Sequence, residues 1–492
     1  MSEVAIQFFG AAETVTGSRF LVTHENIQIM VDCGMFQGER AVEALNEEAF
    51  AFDVRGVSAV LLTHGHLDHC GALPILVKNG YEGPIYCSEY TKKITEVVLM
   101  DSAHLQMQEA KFDDGAKHKS DSNLEEHPNR AHKAHSESHP QLSGRHEERN
   151  SDNGLALYSD KDVLSTMTQF RSVKVRDRIE IYPEVFATFF PSGHILGATF
   201  VLLEIGGKAI LFTGDLGRGN HPLLVGPDIP PQVHIDAVIT ESTYGATSHD
   251  TNIAHFADEL NEAMSRGGSI LIPAFAVDRT EEILFELRRI FNSGVVKQLP
   301  VFVDSPMAET VLNFYREAVS TGAVDIKKEV SEKFLGSDPF QTGVLQELYT
   351  TDESKMLNEI KEQCIIISAS GMATGGRVTY HLEHMLPEPK NTVILVGYQG
   401  RGTRGLLLEQ GAENIRIRGA WIPVKAHIAT AMNFSVHADQ GELISWLKQV
   451  LVPNQVFIVH GERESQQAMK SIIESQLHTT AIIPELKKVY QI

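Results

Sequence analysis

The sequence predicts an α/β protein of more than one domain, and three observations carry that expectation. Short apolar runs in the first 213 residues end on Gly, Ser, Asp or His, as strands feeding tight turns do. Between 236 and 396, strand-like runs alternate with amphipathic helical stretches, a βαβα rhythm that gives a parallel sheet flanked by helices. The chain of 492 residues is also well beyond one domain of about 150.

Taken in order, strands are expected at 4–9, 20–23, 27–31 and 57–63. The last is apolar almost throughout, which suits a strand covered on both faces. A helix follows over 91–112, and then the pattern stops. The tract 113–153 is polar and carries His118, His127, His132, His135, His139 and His146. It has too few apolar side chains to offset the entropy of ordering, so it is expected to be a mobile insertion. Strand signals resume at 185–190, 199–205 and 209–213. In the alternating region 269–275 precedes a helix at 281–291, 301–304 one at 309–318, and 364–368 one at 377–385. The last residues repeat the theme, with a helix at 442–450, a strand at 455–459 and a helix at 465–476.

Composition limits the function. Hydrophobic residues make up 42% and charged residues 22%, which excludes a disordered or fibrous chain. Lys and Arg number 43 against 64 Asp and Glu, for a net charge of −21. Such a chain cannot hold nucleic acid by a general basic surface; a polyanion would need a local basic channel or bound cations. Cys33, Cys70, Cys87 and Cys364 form no CxxC pair, which argues for free thiols in a reducing compartment. No secretory leader opens the sequence, and no apolar run approaches the roughly 18 residues of a membrane helix. A cytoplasmic protein without membrane contact is therefore expected.

Chemistry concentrates in Thr63-His64-Gly65-His66-Leu67-Asp68-His69, directly after a predicted strand. Three imidazoles and a carboxylate so close together can converge on more than one cation, and nitrogen and oxygen donors without thiolate suit Zn²⁺ or a similar first-row metal. On that reading His64 and His66 hold one ion, and Asp68 and His69 hold the other. Further donors stand at other strand ends: His194, Asp215 and His460. Asp32, closing the strand at 27–31, can orient a ligand imidazole.

These residues resemble the metallo-β-lactamase superfamily: Asp32, the His-x-His-x-Asp-His run, His194 and Asp215. The resemblance implies an αββα sandwich with His64, His66 and His194 on one metal, Asp68, His69 and His460 on the other, and Asp215 bridging. The succession Glu241-Ser242-Thr243-Tyr244-Gly245, a long α/β stretch, Phe434-Ser435-Val436-His437-Ala438-Asp439 and Val459-His460-Gly461-Glu462 is similar to the β-CASP branch. Members of that branch process nucleic acids. The resemblance implies a β-CASP α/β domain over 244–425, inserted between sandwich parts at 1–243 and 426–492. RNA-acting members have histidine at the last position, so His460 points to RNA, single-stranded or unpaired.

The function so implied is a ribonuclease with two Zn²⁺ ions, Mn²⁺ being the alternative metal. Two cations roughly 3.5–4 Å apart lower the pKa of a bridging water and neutralise charge on the scissile phosphate. The hydroxide attacks in line, and the departing 3′-oxygen takes a proton from His437, whose pKa Glu241 raises. The catalytic set is thus His437, Glu241 and Asp68. For RNA phosphates, the strand-to-helix turn 368–377 offers small residues and a helix N-terminus, with Ser368, Ser370, Gly371, Gly375, Gly376 and Arg377 as contacts. Arg401 and Arg404, in a Gly-rich loop, are a second candidate pair. In the loop 273–279 the family commonly has a small residue where Asp278 stands; that carboxylate argues against phosphate binding and suits a helix cap. Two other readings are a small-molecule hydrolase of the lactonase or thioesterase type, which leaves the second domain idle, and a non-catalytic RNA-processing scaffold, which would lack metal ligands. A second copy of the chain, in a homodimer, is a candidate partner.

Overall fold

The computed structural model describes residues 3–12, 14–122, 156–249, 254–397, 399–431, 434–451 and 453–492. Most of the tract expected to be a mobile insertion lies outside the described residues. Its first part, 113–122, instead continues the helix Glu89–Ser122. Extending a nucleated helix adds one hydrogen bond per residue fixed, so a polar sequence with a single Gly115 does not stop it.

Two seven-stranded sheets face each other. The first runs in the order Val489–Gln491, Val4–Phe8, Phe20–His24, Ile27–Val31, Ala59–Leu61, Ile85–Cys87 and Phe170–Ser172. The second runs Thr480–Ile482, Gln455–Ile458, Ala237–Thr240, Lys208–Phe212, Thr199–Ile205, Val185–Pro191 and Arg178–Tyr182. Alternation along the strands explains the sandwich. Ile6, Phe8, Phe20, Ile29 and Val31 of the first sheet form one core with Phe189, Val201, Leu203, Phe212, Ile239 and Phe457 of the second. The intervening residues face helices. Phe200, Leu202, Leu211, Val238 and Val456 pack with Leu443, Trp446, Leu447 and Met469. Leu21, Met30, Val60 and Leu62 pack with Leu73, Leu76, Ile94 and Leu99.

A third sheet of six strands is parallel throughout, in the order Leu345–Glu347, Val301–Val303, Ile365–Ser368, Ile270–Pro273, Thr392–Leu395 and His427–Thr430. Helices cover both faces: Ile272, Val303 and Ile367 meet Ile283, Leu287 and Leu312, while Leu271, Ile366 and Val393 meet Val378, Leu382 and Leu408. The predicted helices at 281–291, 309–318 and 377–385 appear as Arg279–Ser293, Pro306–Thr321 and Val378–Met385. All strands of this sheet fall between Ala237–Thr240 and Gln455–Ile458, which pair with each other in parallel. The chain thus leaves the sandwich, builds a whole domain and returns beside the strand it left. The inserted domain and the outer layer of the first sheet share one apolar cluster, so the two are packed together.

The four cysteines are free and buried. Burial pushes the Cys33 thiol up to about 12, which keeps it protonated and inert. Among the described residues no helix is long and apolar enough to cross a membrane.

Phe457 packs against Phe8 in a tilted contact and against Tyr490 edge-on, with ring centroids at 5.2 and 5.3 Å. Phe457→Ala is expected to destabilise the sandwich by about 3–5 kcal/mol, read as a lowered urea midpoint.

Candidate metal centre

The centre is assembled from loops at strand ends. The strand Ala59–Leu61 feeds the run Thr63–His69, in which His66 precedes the short helix Leu67–Cys70. Gly34 lets that run come close: a Cβ there would lie 1.6 Å from the Asp68 carbonyl oxygen. His194 follows Val185–Pro191, and Asp215 follows Lys208–Phe212. Lys208–Phe212, Ala237–Thr240 and Gln455–Ile458 lie side by side and parallel, so Asp215, Glu241 and His460 leave the same edge of the sheet.

Two donor groups result. His64, His66, His194 and Asp215 bring their ligand atoms within 4.8 Å of one another, and so do Asp68, His69 and His460. In the first, His66 Nδ1 lies 3.2 Å from His64 Nε2 and 3.1 Å from His194 Nε2. Asp215 reaches both groups: Oδ2 is 3.4 Å from His64 Nε2, and Oδ1 is 3.4 Å from His69 Nε2. In the second, His460 Nε2 is 3.1 Å from Asp68 Oδ2. All the residues expected from sequence to hold metal are here together.

The outer partners fix which nitrogen faces inward. The Thr63 hydroxyl donates to Asp32, so its oxygen accepts from His64 Nδ1–H at 3.1 Å and leaves Nε2 a lone pair. His69 Nδ1–H donates to Asp32 Oδ2 at 2.8 Å. The Thr243 hydroxyl donates to the His460 carbonyl and accepts from His460 Nδ1–H at 3.0 Å. Each ring thereby presents Nε2 to the centre, as a metal ligand should. Asp32 thus sits behind the His69 imidazole of the second donor group. Thr63 and Thr243 lie inside the motif runs, but residue type alone does not signal this orienting role.

Electrostatics divide the two groups. Burial holds His64 down to about 3 and His66 to about 4, and puts His194 well below the ordinary histidine value. These three imidazoles are held neutral with ring nitrogens turned toward one another around His66 Nδ1, and Asp215 Oδ1 is buried without a hydrogen bond. A cation satisfies both conditions, so the residues fit a divalent metal. Burial opposes charge on His69 as well, but Asp215 and Asp32 outweigh it and its pKa lies well above normal. His460 is raised too, burial being overcome by Asp215 and Asp68. In the second group, protons would compete with a metal for the ring nitrogens.

Glu241, fully buried, accepts the Leu216 N–H at 2.7 Å and lies 3.1 Å from His437 Nδ1. Burial works against the charged imidazole, and the Glu241 carboxylate overcomes it, so the His437 pKa is raised. His437 is 18% exposed and borders a large cleft. His249 holds its carbonyl through Nε2 at 3.1 Å, a contact that no sequence motif signals.

The cleft, about 2160 Å³, is lined by His66, Asp68, Asp215, His437 and His460 on one side and by 275–277, 369–370, 372 and 374–377 of the inserted domain on the other. Among its described lining residues six are Lys or Arg and nine are Asp or Glu, so these residues form no basic channel to offset the global charge. The residues expected to hold phosphates divide. Ser370, Gly375, Gly376 and Arg401 line the cleft, and Arg401 is exposed. Arg377 borders it, but its guanidinium is committed to Asp304 at 2.6 Å and to the carbonyls of Leu348 and Tyr349. Ser368 donates to the Asp304 carbonyl, Arg404 donates to the carbonyls of Ala373, Thr374 and Arg416, and neither lines the cleft; nor does Gly371. Asp278 occupies the N-cap position of Arg279–Ser293 yet makes no capping bond, because His221 and Tyr315 take its carboxylate.

Three family models match the chain: Metallo-beta-lactamase superfamily over 15–273, Beta-Casp domain over 280–408, and Zn-dependent metallo-hydrolase RNA specificity domain over 421–484. A ribonuclease of Thermus thermophilus is 33% identical over 94% of this chain and 95% of its own. An RNase J-like protein of Methanocaldococcus jannaschii is 28% identical over 98% of each chain. The cleavage and polyadenylation specificity factor 73 of Drosophila melanogaster is 25% identical over 97% of this chain and 62% of its own. A solved Enterococcus faecalis protein of unknown function shares the fold, with a TM-score of 0.50 at 12% identity over the whole of both chains.

Because the pKa values of His69 and His460 are raised and a metal ligand must release its Nε2 proton, Zn²⁺ uptake by the metal-free protein is expected to liberate protons, more of them as the pH is lowered. An indicator dye in weakly buffered solution would count them. Release of none would place the metal elsewhere.

Proposed function

The chain belongs to the metallo-β-lactamase superfamily, in its Beta-Casp branch of metal-dependent ribonucleases, and on that footing we propose that it hydrolyses single-stranded or unpaired RNA with two zinc ions. The observation that carries this reading is the meeting, in one cleft, of two donor groups and the His437–Glu241 pair. His64, His66 and His194 would hold one ion, Asp68, His69 and His460 the other, and Asp215 both. When bound, the ions supply positive charge for the scissile phosphate and acidify a water toward neutral pH.

The chain's own side chains do the rest. Asp215 offers one oxygen to each donor group, which fixes their separation. His437 is anchored to Glu241 through Nδ1, so the proton at Nε2 is the one available to the departing 3′-oxygen. The Glu241 carboxylate, overcoming the cost of burial, strengthens the hold of His437 on that proton. Ser370, Gly375, Gly376 and Arg401 are positioned along the cleft to hold flanking phosphates. With acidic residues outnumbering basic ones there, the bound cations carry the main attraction for RNA. A small-ester hydrolase is disfavoured, since the cleft of about 2160 Å³ exceeds the 300–1,000 Å³ typical of small-molecule sites.

End-labelled single-stranded RNA with added Zn²⁺ or Mn²⁺ should be cut by the native protein and left whole by Asp68→Ala. His437→Ala should lower kcat by about 10²–10⁴-fold with metal content intact; loss of metal would instead make His437 a ligand. An acid must be protonated to act, so activity should fall as pH rises through the raised His437 pKa. Glu241→Gln removes what raises that pKa and should move the alkaline limb to lower pH. An unmoved limb would assign the acid to another group.

A further inference from the structure

A buried polar cluster joins the inserted domain to the sandwich, and the proposed chemistry does not use it. Asp278 is wholly buried. It accepts the Tyr315 hydroxyl on Oδ1 and lies 3.0 Å from His221 Nε2 through Oδ2. The Tyr315 oxygen in turn accepts the Leu196 backbone N–H at 3.0 Å. His221 Nδ1 accepts the N–H groups of Leu223 and Leu224 at 3.1 and 2.9 Å. Tyr315 and Asp278 belong to the inserted domain, whereas Leu196 and His221 belong to the sandwich.

The ligand atoms of His221, Asp278 and Glu282 lie within 4.8 Å of one another, a spacing that would also suit a metal. Donor and acceptor accounting argues against one. Two backbone N–H groups occupy the Nδ1 lone pair, so the ring proton sits on Nε2, where a metal would need electrons. That proton is directed at Asp278, and Glu282 faces Arg279 at 3.3 Å. Hydrogen bonds therefore account for the cluster without an ion.

Its anchors flank the metal centre. Leu196 stands two residues past His194, and His221 six past Asp215. The two segments touch each other: Gly217 N–H donates to the Ser192 carbonyl at 2.8 Å, and a Cβ on Gly217 would lie 1.8 Å from the Gly193 oxygen. Asp278 also holds φ at +71°, where side chains are strained. A strained residue with a buried carboxylate persists only where its surroundings over-determine it. Here the carboxylate grips the sandwich at both anchors.

We propose that Tyr315, Asp278 and His221 form a positioning tether through which the inserted domain fixes the His194 and Asp215 segments and so sets metal affinity and turnover. The proposal rests on the reading of His194 and Asp215 as ligands. Its test compares the full chain with Tyr315→Phe, Asp278→Gly and His194→Ala. Zn²⁺ affinity is measured by competition with a chromophoric chelator, RNA cleavage gives kcat and KM, and a thermal melt reports folding. Tyr315→Phe keeps the ring and loses the bond to Leu196; Asp278→Gly removes the carboxylate and relieves the backbone.

Both tether variants should fold, bind Zn²⁺ about tenfold more weakly and lose kcat while KM stays within about twofold. His194→Ala should weaken Zn²⁺ further. Native Zn²⁺ affinity in Tyr315→Phe, beside a weakened His194→Ala, would overturn the tether alone. Native affinity in His194→Ala would overturn the ligand reading and the tether with it. If Asp278→Gly fails to fold, Tyr315→Phe decides by itself.

Discussion

The structure turns on one electrostatic constraint: imidazoles and carboxylates that repel or ionise against one another are held together in a nearly dry space where two sheets meet. Buried without a cation, the lone pairs of His64, His66 and His194 and the Asp215 carboxylate are costly. Everything around them serves to keep them there. Strand ends supply rigid origins, Gly34 and Gly217 allow backbone to approach where a methyl group would collide, and Thr63, Asp32 and Thr243 fix the rings of His64, His69 and His460 from behind. This is a preorganised arrangement, in which the fold bears the cost of assembling the site before any ligand arrives.

The insertion gives that arrangement its reach. A sandwich alone would present the donor groups on an open edge. The third sheet and its helices build the opposite wall of the cleft, and the shared apolar cluster holds that wall against the outer layer of the first sheet. The wall itself is stiffened by the buried Asp304 carboxylate, which Arg377 and His381 both contact at 2.6 Å, and this explains why an arginine suited to phosphate is occupied elsewhere. Arg401, exposed at the rim, has no partner among the described residues and keeps its charge for solvent or substrate.

What could be read in the sequence was local. The apolar run at 57–63 and the donor-rich turn behind it sit within one strand and loop, and the βαβα rhythm depends only on near neighbours. What could not be read depends on distant partners. Asp278 has the residue type and position of a helix cap, but His221, 57 residues earlier, and Tyr315, 37 residues later, take its carboxylate. Arg377 begins a helix beside small residues, as a phosphate contact might, yet Asp304, 73 residues away, claims it. Edge strands were also illegible: Arg178–Tyr182 has one buried residue and a register shift, and Val489–Gln491 is short and mostly exposed.

The order of the strands has a consequence for synthesis. The strand Gln455–Ile458 is laid down last but one in the second sheet, yet it pairs between Ala237–Thr240 and Thr480–Ile482 and carries His460 to the centre. A polypeptide emerging from its N-terminus therefore has His64, His66, His194 and Asp215 long before it has His437 or His460. A nascent or truncated chain holds one complete donor group and lacks both His437 and His460. The full set of donors and the His437–Glu241 pair come together only when the inserted domain has been made and the chain has closed behind it.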